Sequence, residues 1–243
     1  MDILSPQQLE ELKQFDAPTI CNAIECFNLI PRTAGFAMPF IFPRTSENAK
    51  MIGYAVTAVV SARHPAPKGA DDKVMAYYKA VRETPGPAIA VIRDIDPQPM
   101  GSFWGEVQAT IHKSLGAIGT LTQGGVRDLE EAGRMGFHFF ASHVLVSHAY
   151  IHMVDQGGGV DIAGLQINPG DLIFADRHGV VGIPHAAAPR LAEACRDIAD
   201  AELPMLEPCR KAIAKGEKPG LDQLREWRKA MDAARKKATE KFG

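Results

Sequence analysis

Between residues 51 and 128 the chain alternates between two textures, and this alternation restricts its possible folds more than any single residue does. "MIGYAVTAVVSA" (51–62) is short, apolar and β-branched, the pattern of a strand. "ADDKVMAYYKAVRE" (70–83) opens on acids and has helical texture. "PAIAVIRDI" (87–95) is a second strand, and a helix over 106–115 and a strand over 117–122 follow. Downstream, "HFFASHVLVS", "GVDIAGLQI", "DLIFAD" and "GVVGIP" are short strand-like runs divided by turn residues, with "NPGD" (168–171) and "DRHG" (176–179) the strongest turn signals. Strands alternating with helices, then a run of strands, predict a layered α/β architecture.

The flanks are helical. Ser5 can cap a helix in which Pro6 takes the first position and Gln8 completes a capping box. A second helix begins near Pro18, with Ile20, Ala23, Ile24 and Phe27 on one buried face. From about Ala186 the pattern is helical to the end, with interruptions expected at Pro204, Pro208 and "KGEKPG". We therefore divide the chain into residues 1–215, one α/β domain, and residues 216–243, a C-terminal helical extension. In that extension Leu221, Leu224, Trp227 and Met231 share roughly one face, expected to pack on the body or on a neighbouring subunit.

Bulk properties exclude several classes. A formal net charge of −2 gives no electrostatic footprint for nucleic acid, so an acidic substrate must be held by local cations. No apolar run approaches the roughly 20 residues that span a bilayer. The opening "MDILSPQQLEEL" lacks the basic-then-apolar order of a secretory signal, and a cytoplasmic location is expected. Cys21, Cys26, Cys195 and Cys209 form no CxxC pair and are expected to be buried thiols in a reducing compartment.

The chemistry concentrates in "GEVQATIHKSLGAIGTLTQGGVRD" (105–128). Twenty residues separate Glu106 from Arg127. Gly105 allows a sharp turn into a helix, which places Glu106 at a helix N-terminus where N–H groups and the dipole favour an anion. The helix runs about 15 Å at 1.5 Å per residue. "GAIGTLT" is long enough to return, and "QGGV" is expected to turn the chain so that Arg127 and Asp128 fall beside the helix start. Two carboxylates suit a hard divalent cation such as Mg²⁺, which keeps several waters. Arg127 adds a rigid fork for a carboxylate or enolate. The set suits a small 2-oxo acid whose carbonyl and carboxylate chelate the metal. Taken singly, an Arg-Asp dipeptide is more often a helix cap and a solvated cation, and Glu106 a first-turn acid; their combination argues otherwise.

Other candidates are weaker. His148 and His152 have the i, i+4 spacing of a helical metal site but lie in strand-like surroundings without the glutamate of HExxH. "DQGGGVDIAGL" reads as a loop between strands rather than a nucleotide loop. Lys113 lacks the apolar setting a Schiff-base lysine needs. Asp176 is expected to form a turn, and Phe103 and Trp104 to pack beside Gly105.

The Gly-Glu, twenty residues, Arg-Asp pattern resembles that of the RraA-like proteins (regulator of ribonuclease activity A). "PTICNAIECFNL" resembles the family's early helix, with Asn22-Ala23-Ile24 where Asp-Ala-Leu is usual. "GTLTQGGVRDLEEA" resembles its central turn and "INPGDLIFADRHGVVGIP" its late strands, so that the resemblance spans residues 15 to 215. It implies a swivelling β/β/α sandwich, assembled as a trimer or a hexamer, with residues 1–215 as catalytic domain. The family includes class II 4-hydroxy-4-methyl-2-oxoglutarate aldolases that also decarboxylate oxaloacetate. By resemblance Asp128 is the direct ligand to Mg²⁺ or Mn²⁺, and Arg127 stabilises a pyruvate enolate. Glu106, in place of the commoner Asp, holds metal-bound water, and the N–H groups of Val107 and Gln108, next to Gly105, bind the substrate carboxylate. A glutamate from a neighbouring subunit's C-terminal helix, here Glu202 or Glu207, completes the shell. The expected function is a metal-dependent carbon–carbon lyase. The alternatives are a non-catalytic regulator that binds a ribonuclease, and another lyase or hydro-lyase on a sugar-derived 2-oxo acid.

Overall fold

A computed structural model describes residues 3–243. The first helix, α1 (Pro6–Leu12), starts on a complete capping box: the Ser5 hydroxyl accepts the Gln8 N–H and the Gln8 side chain accepts the Ser5 N–H. Asp16 caps α2 (Ala17–Glu25) through the Thr19 N–H, and Ile20, Ala23 and Ile24 are buried beneath it as their spacing requires.

A short strand β1 (Phe42–Pro43) precedes the alternating region: β2 (Met51–Ser61), α3 (Ala70–Glu83), β3 (Ala88–Asp94), β4 (Ser102–Trp104), α4 (Glu106–Ser114), β5 (Ala117–Val126), α5 (Leu129–Arg134) and β6 (His138–Val144). The strand run follows as β7 (His152–Gln156), β8 (Val160–Ile162), β9 (Leu165–Ile167), β10 (Leu172–Asp176) and β11 (Gly179–Ile183). Two long helices, α6 (Leu191–Lys215) and α7 (Leu221–Phe242), end the chain.

Nine strands make one sheet in the order β1-β6-β5-β3-β2-β10-β11, with β4 joined to β5 and β7 to β2. Strands β2, β3, β5 and β6 run parallel, because a helical crossover joins each to the next; β7, β10 and β11 pair antiparallel. Side chains alternate across β3: Ala88, Ala90 and Ile92 pack under α3, α4 and α5, whereas Ile89 and Val91 pack against the β8–β9 hairpin. Hairpin, sheet and helices therefore stack as the β/β/α layers expected. A further cluster joins α1, α2 and α6 to Ile52, Tyr54, Phe174 and Ile183 at the other end of the sheet.

Two expectations are corrected. Helix α6 runs without interruption through Pro204 and Pro208. The prolines stand four residues apart, so both missing donors lie on one face, and contacts to α7 compensate, including Glu202–Arg235 at 2.5 Å and Asp197–Lys241 at 2.6 Å. "QGGV" is not a turn: β5 continues through it to Val126, with a register shift against β6 between Thr122 and Gly125. Gly125 is there for close approach, since a Cβ on it would lie 2.3 Å from Leu145 Cδ1. On α7, Leu221 stands largely in solvent and Leu224, Trp227 and Met231 are half-buried, while the far end docks on the body, where Ala238 is buried and Phe242 meets Phe27 at 5.2 Å between ring centres.

Candidate functional site

Strands β4 and β5 lie side by side at their carboxyl ends, Trp104 opposite Val126, and each runs straight into a helix. The Arg127 N–H donates to the Trp104 carbonyl at 3.1 Å, which holds the two strand-to-helix junctions together. Carboxyl ends of parallel strands are where open α/β sheets place their ligands.

Asp128 occupies the cap position of α5 in the left-handed region, at φ 53, and its side chain does not cap that helix. The carboxylate crosses to the other helix, where its Oδ2 accepts the Glu106 N–H at 2.9 Å. The sequence reading thus brought the correct partners together, although by a strand running the full length rather than a turn. Gly105 is extended, at φ −162, so it is not required for a sharp turn. It is required for space: a Cβ there would lie 2.6 Å from Asp128 Oδ2 and 3.2 Å from Arg127 Nε.

Arg127 Nε lies 3.9 Å from Asp128 Oδ2, with the two side chains 38% and 39% exposed, and Nη1 donates to the Val146 carbonyl at 3.3 Å. The guanidinium is held on two sides with donors to spare. Glu106 is exposed in the first turn of α4. The first ladder bond of α4 is Ala109 N–H to the Gly105 carbonyl, so the N–H groups of Val107 and Gln108 precede the ladder and lie at the positive end of the helix. Gln108 is held from behind: its side-chain oxygen accepts from the Tyr78 hydroxyl at 2.8 Å, and its carbonyl lies 2.7 Å from His112 Nδ1. His112 is buried among Tyr77, Tyr78, Phe103 and Trp104, and burial lowers its pKa to about 4. Phe103 and Trp104 accordingly pack behind the site.

The donor set fits a sparsely ligated hard cation. Asp128 Oδ1 and the Glu106 carboxylate, at the starts of adjoining helices, are the oxygen donors that would face a hard cation such as Mg²⁺, which keeps most of its waters. Among the described residues no group of three or more His, Cys, Asp or Glu is placed to hold a metal ion. Of the two C-terminal candidates, Glu202 is engaged by Arg235 within its own chain, whereas Glu207 is exposed on α6.

The remaining candidates lie elsewhere. His148 sits in a turn and His152 in β7, so they share no helical face. Lys113 is exposed and reaches the Gly136 carbonyl at 3.3 Å. Asp176 is buried at the start of α2, accepting the Ala17 N–H at 2.9 Å. Two features carried no sequence signal: the Val146 carbonyl on Arg127, and Asp94. That acid is buried at the end of β3 with Oδ2 unpartnered, and burial raises its pKa to about 6.

The chain belongs to the RraA-like family, whose Aldolase/RraA pattern matches residues 17–181. Protein DlpA of Legionella pneumophila is 30% identical over 145 residues, 58% of this chain and 22% of that protein. The uncharacterized protein MJ0644 of Methanocaldococcus jannaschii is 28% identical over 102 residues, 42% of this chain and 49% of that protein. The chain therefore spans about a fifth and about half of the lengths of these relatives. An uncharacterized protein from Pseudomonas syringae superposes with a TM-score of 0.68 over 93% of this chain and 95% of that one, at 19% identity. RraAS2 of Streptomyces coelicolor, an unusual member of the RNase ES inhibitor RraA protein family, does so with 0.66 over 83% and 96%, at 18% identity. At such identities these likenesses establish the shared fold.

Proposed function

We propose that the protein is a divalent-metal-dependent carbon–carbon lyase that releases pyruvate from a 4-hydroxy-2-oxo acid by retro-aldol cleavage, with decarboxylation of oxaloacetate as the same chemistry. The observation that carries the proposal is the diversion of Asp128: its carboxylate leaves its own helix uncapped and stands at the N-terminus of α4 beside Arg127.

The residues divide the work. The N–H groups of Val107 and Gln108 bind the C1 carboxylate at the helix N-terminus. Arg127 donates to the C2 oxygen, where negative charge develops. Asp128 directly, and Glu106 through water, would hold Mg²⁺ or Mn²⁺, which when bound supplies Lewis-acid polarisation of the 2-oxo group. A water hydrogen-bonded to Glu106 takes the C4 hydroxyl proton. The C3–C4 bond then breaks with its electron pair moving toward C2, an aldehyde or ketone departs, and protonation at C3 yields pyruvate. From oxaloacetate the departing fragment is CO₂.

The test is pyruvate release from a panel of 4-hydroxy-2-oxo acids and oxaloacetate, with and without EDTA. Activity abolished by chelator and restored by Mg²⁺ or Mn²⁺ is expected. Full activity in EDTA together with borohydride trapping of substrate would establish a Schiff-base enzyme instead. No release from any substrate would leave protein binding, as in the ribonuclease-inhibitor branch, as the reading to pursue.

A further inference from the structure

We infer that His112 is a positioning residue for the 2-oxo acid head: with Tyr78 it fixes Gln108, whose backbone N–H receives the C1 carboxylate. The inference rests on the lyase reading above and assigns the side chains that support its carboxylate-binding turn.

Gln108 is the third residue of α4 and is held at two points. Its side-chain oxygen accepts from the Tyr78 hydroxyl at 2.8 Å, brought in by α3. Its backbone carbonyl lies 2.7 Å from His112 Nδ1, one turn along α4. A carbonyl can only accept, so Nδ1 is the donor and the imidazole is the neutral Nδ1–H tautomer. Burial keeps the ring neutral down to about pH 4, so this donor is present throughout the neutral range. The N–H groups of a helix's first turn have no ladder partners. The two contacts restrain Gln108 from behind, and an N–H already in place costs less to bind with than one that must be ordered.

Aromatic rings enclose His112. It is fully buried, with Trp104, Tyr78 and Tyr77 at 4.5, 5.4 and 5.6 Å between ring centres and Phe103 edge-on at 6.2 Å. All of these side chains belong to one chain and the imidazole is sealed inside it, so the arrangement is independent of how subunits assemble. Packing does not explain an imidazole at this position. Its Nε2 is buried with no partner among the described residues, as is the hydroxyl of Tyr77 beside it. A buried nitrogen without a partner costs stability, and an apolar ring would fill the space without that cost. What the imidazole adds is the donor at Nδ1, and that donor goes to Gln108.

The test measures pyruvate affinity by calorimetry on the Mg²⁺-loaded protein, with KM and kcat for pyruvate release from oxaloacetate in parallel. His112→Phe keeps a ring against Trp104 and removes the donor. The carboxylate contact is made equally in the ground and transition states. The variant is therefore expected to raise Kd and KM about tenfold and to change kcat by less than about threefold. His112→Asn, whose Nδ2 can stand where Nδ1 stands, is expected to recover most of the affinity. Tyr78→Phe is the second variant, and it carries the test if His112→Phe does not fold. It is expected to weaken pyruvate binding about threefold or more, and to add nothing in a Gln108→Leu background, because it acts through that side chain. Unchanged affinity in His112→Phe and Tyr78→Phe, or a Tyr78→Phe loss that persists with Gln108→Leu, overturns the inference and leaves the lyase reading standing. Affinity lost in His112→Phe and not recovered in His112→Asn overturns the role of the Nδ1 donor. Wild-type protein that neither binds pyruvate nor releases it overturns the lyase reading and the inference with it.

Discussion

At the residue scale the site turns on one unusual backbone position. Asp128 lies in the left-handed region, a conformation that costs a non-glycine residue about 1 kcal/mol but that Asp and Asn tolerate best. Asp128→Asn is thus expected to keep the fold and weaken metal binding, measured by isothermal titration with Mn²⁺; unchanged affinity would remove Asp128 from the donor set. Arg127→Lys keeps charge and loses the planar fork that spans the Val146 carbonyl and the substrate oxygen. Its kcat is expected to fall by about 100-fold or more, and near-normal kcat with only a raised KM would refute the assigned role. Two buried groups make opposing contributions to stability. Asp94 has its pKa raised from 3.8 to about 6, so its contribution is present below about pH 4 and lost as pH rises through about 6. His112 has its pKa lowered from 6.5 to about 4, so its contribution is present above about pH 6.5 and lost as pH falls through about 4. Between pH 4 and 6 the two slopes oppose each other. Asp94→Asn is expected to unmask the second, making urea-unfolding stability climb more steeply with pH than wild type, by up to about 1.4 kcal/mol per unit. Equal slopes in the two proteins would contradict the shift at Asp94.

At the element scale, what could be read from the sequence was what is decided locally. Ser5, Pro6 and Gln8 specify a helix start within one turn, and α3 spans the residues its texture marked, Ala70–Glu83. The meeting of Glu106 and Asp128 was legible because a helix and its returning strand have fixed rises per residue. What escaped was decided by partners far away in sequence. Pro204 and Pro208 lie inside α6, which packs along α7, and the glycines of "QGGV" stand in β5 where neighbours fill the Cβ positions, Asp94 at Gly124 and Leu145 at Gly125. The Val146 carbonyl and the buried Asp94 had no signal, since any residue supplies a carbonyl and an acid does not advertise its burial. The bracing of α6 has a measurable consequence. Phe242 contacts Phe27 and lies under the Arg190 guanidinium at 4.4 Å, so Phe242→Ala is expected to lower unfolding free energy by about 1–2 kcal/mol. Pyruvate release at 25 °C should be unaffected, because the contact joins the turn after α2 to the end of α7 and involves neither α4 nor α5. A variant as stable as wild type would show that α7 docks by its ion pairs alone.

At the scale of the whole molecule, the rim formed by Glu106, Arg127 and Asp128 would, under the proposed function, offer a metal two carboxylates from one chain and leave its remaining positions to water, substrate or another subunit. The family resemblance points to a glutamate on a neighbouring α6, and the two candidates now differ physically. Glu202 is held by Arg235 at 2.5 Å in its own chain, and lending it to a neighbour would break that pair. Glu207, one turn on and exposed, is bound to nothing comparable and can be lent without loss. If sites are shared in this way, activity belongs to the oligomer. Asp128→Asn subunits and Glu207→Gln subunits should each be inactive alone. After the subunits exchange, mixed oligomers contain some interfaces with both residues intact, and part of the activity should return. The matching experiment with Glu202→Gln should instead lower stability slightly, by the 0.2–1 kcal/mol typical of a half-exposed pair (about that order, discounted for solvent screening), without abolishing turnover. Exchanged oligomers that recover nothing, or a fully active isolated monomer, would rule out a shared site and require Asp128 and Glu106 to suffice with water.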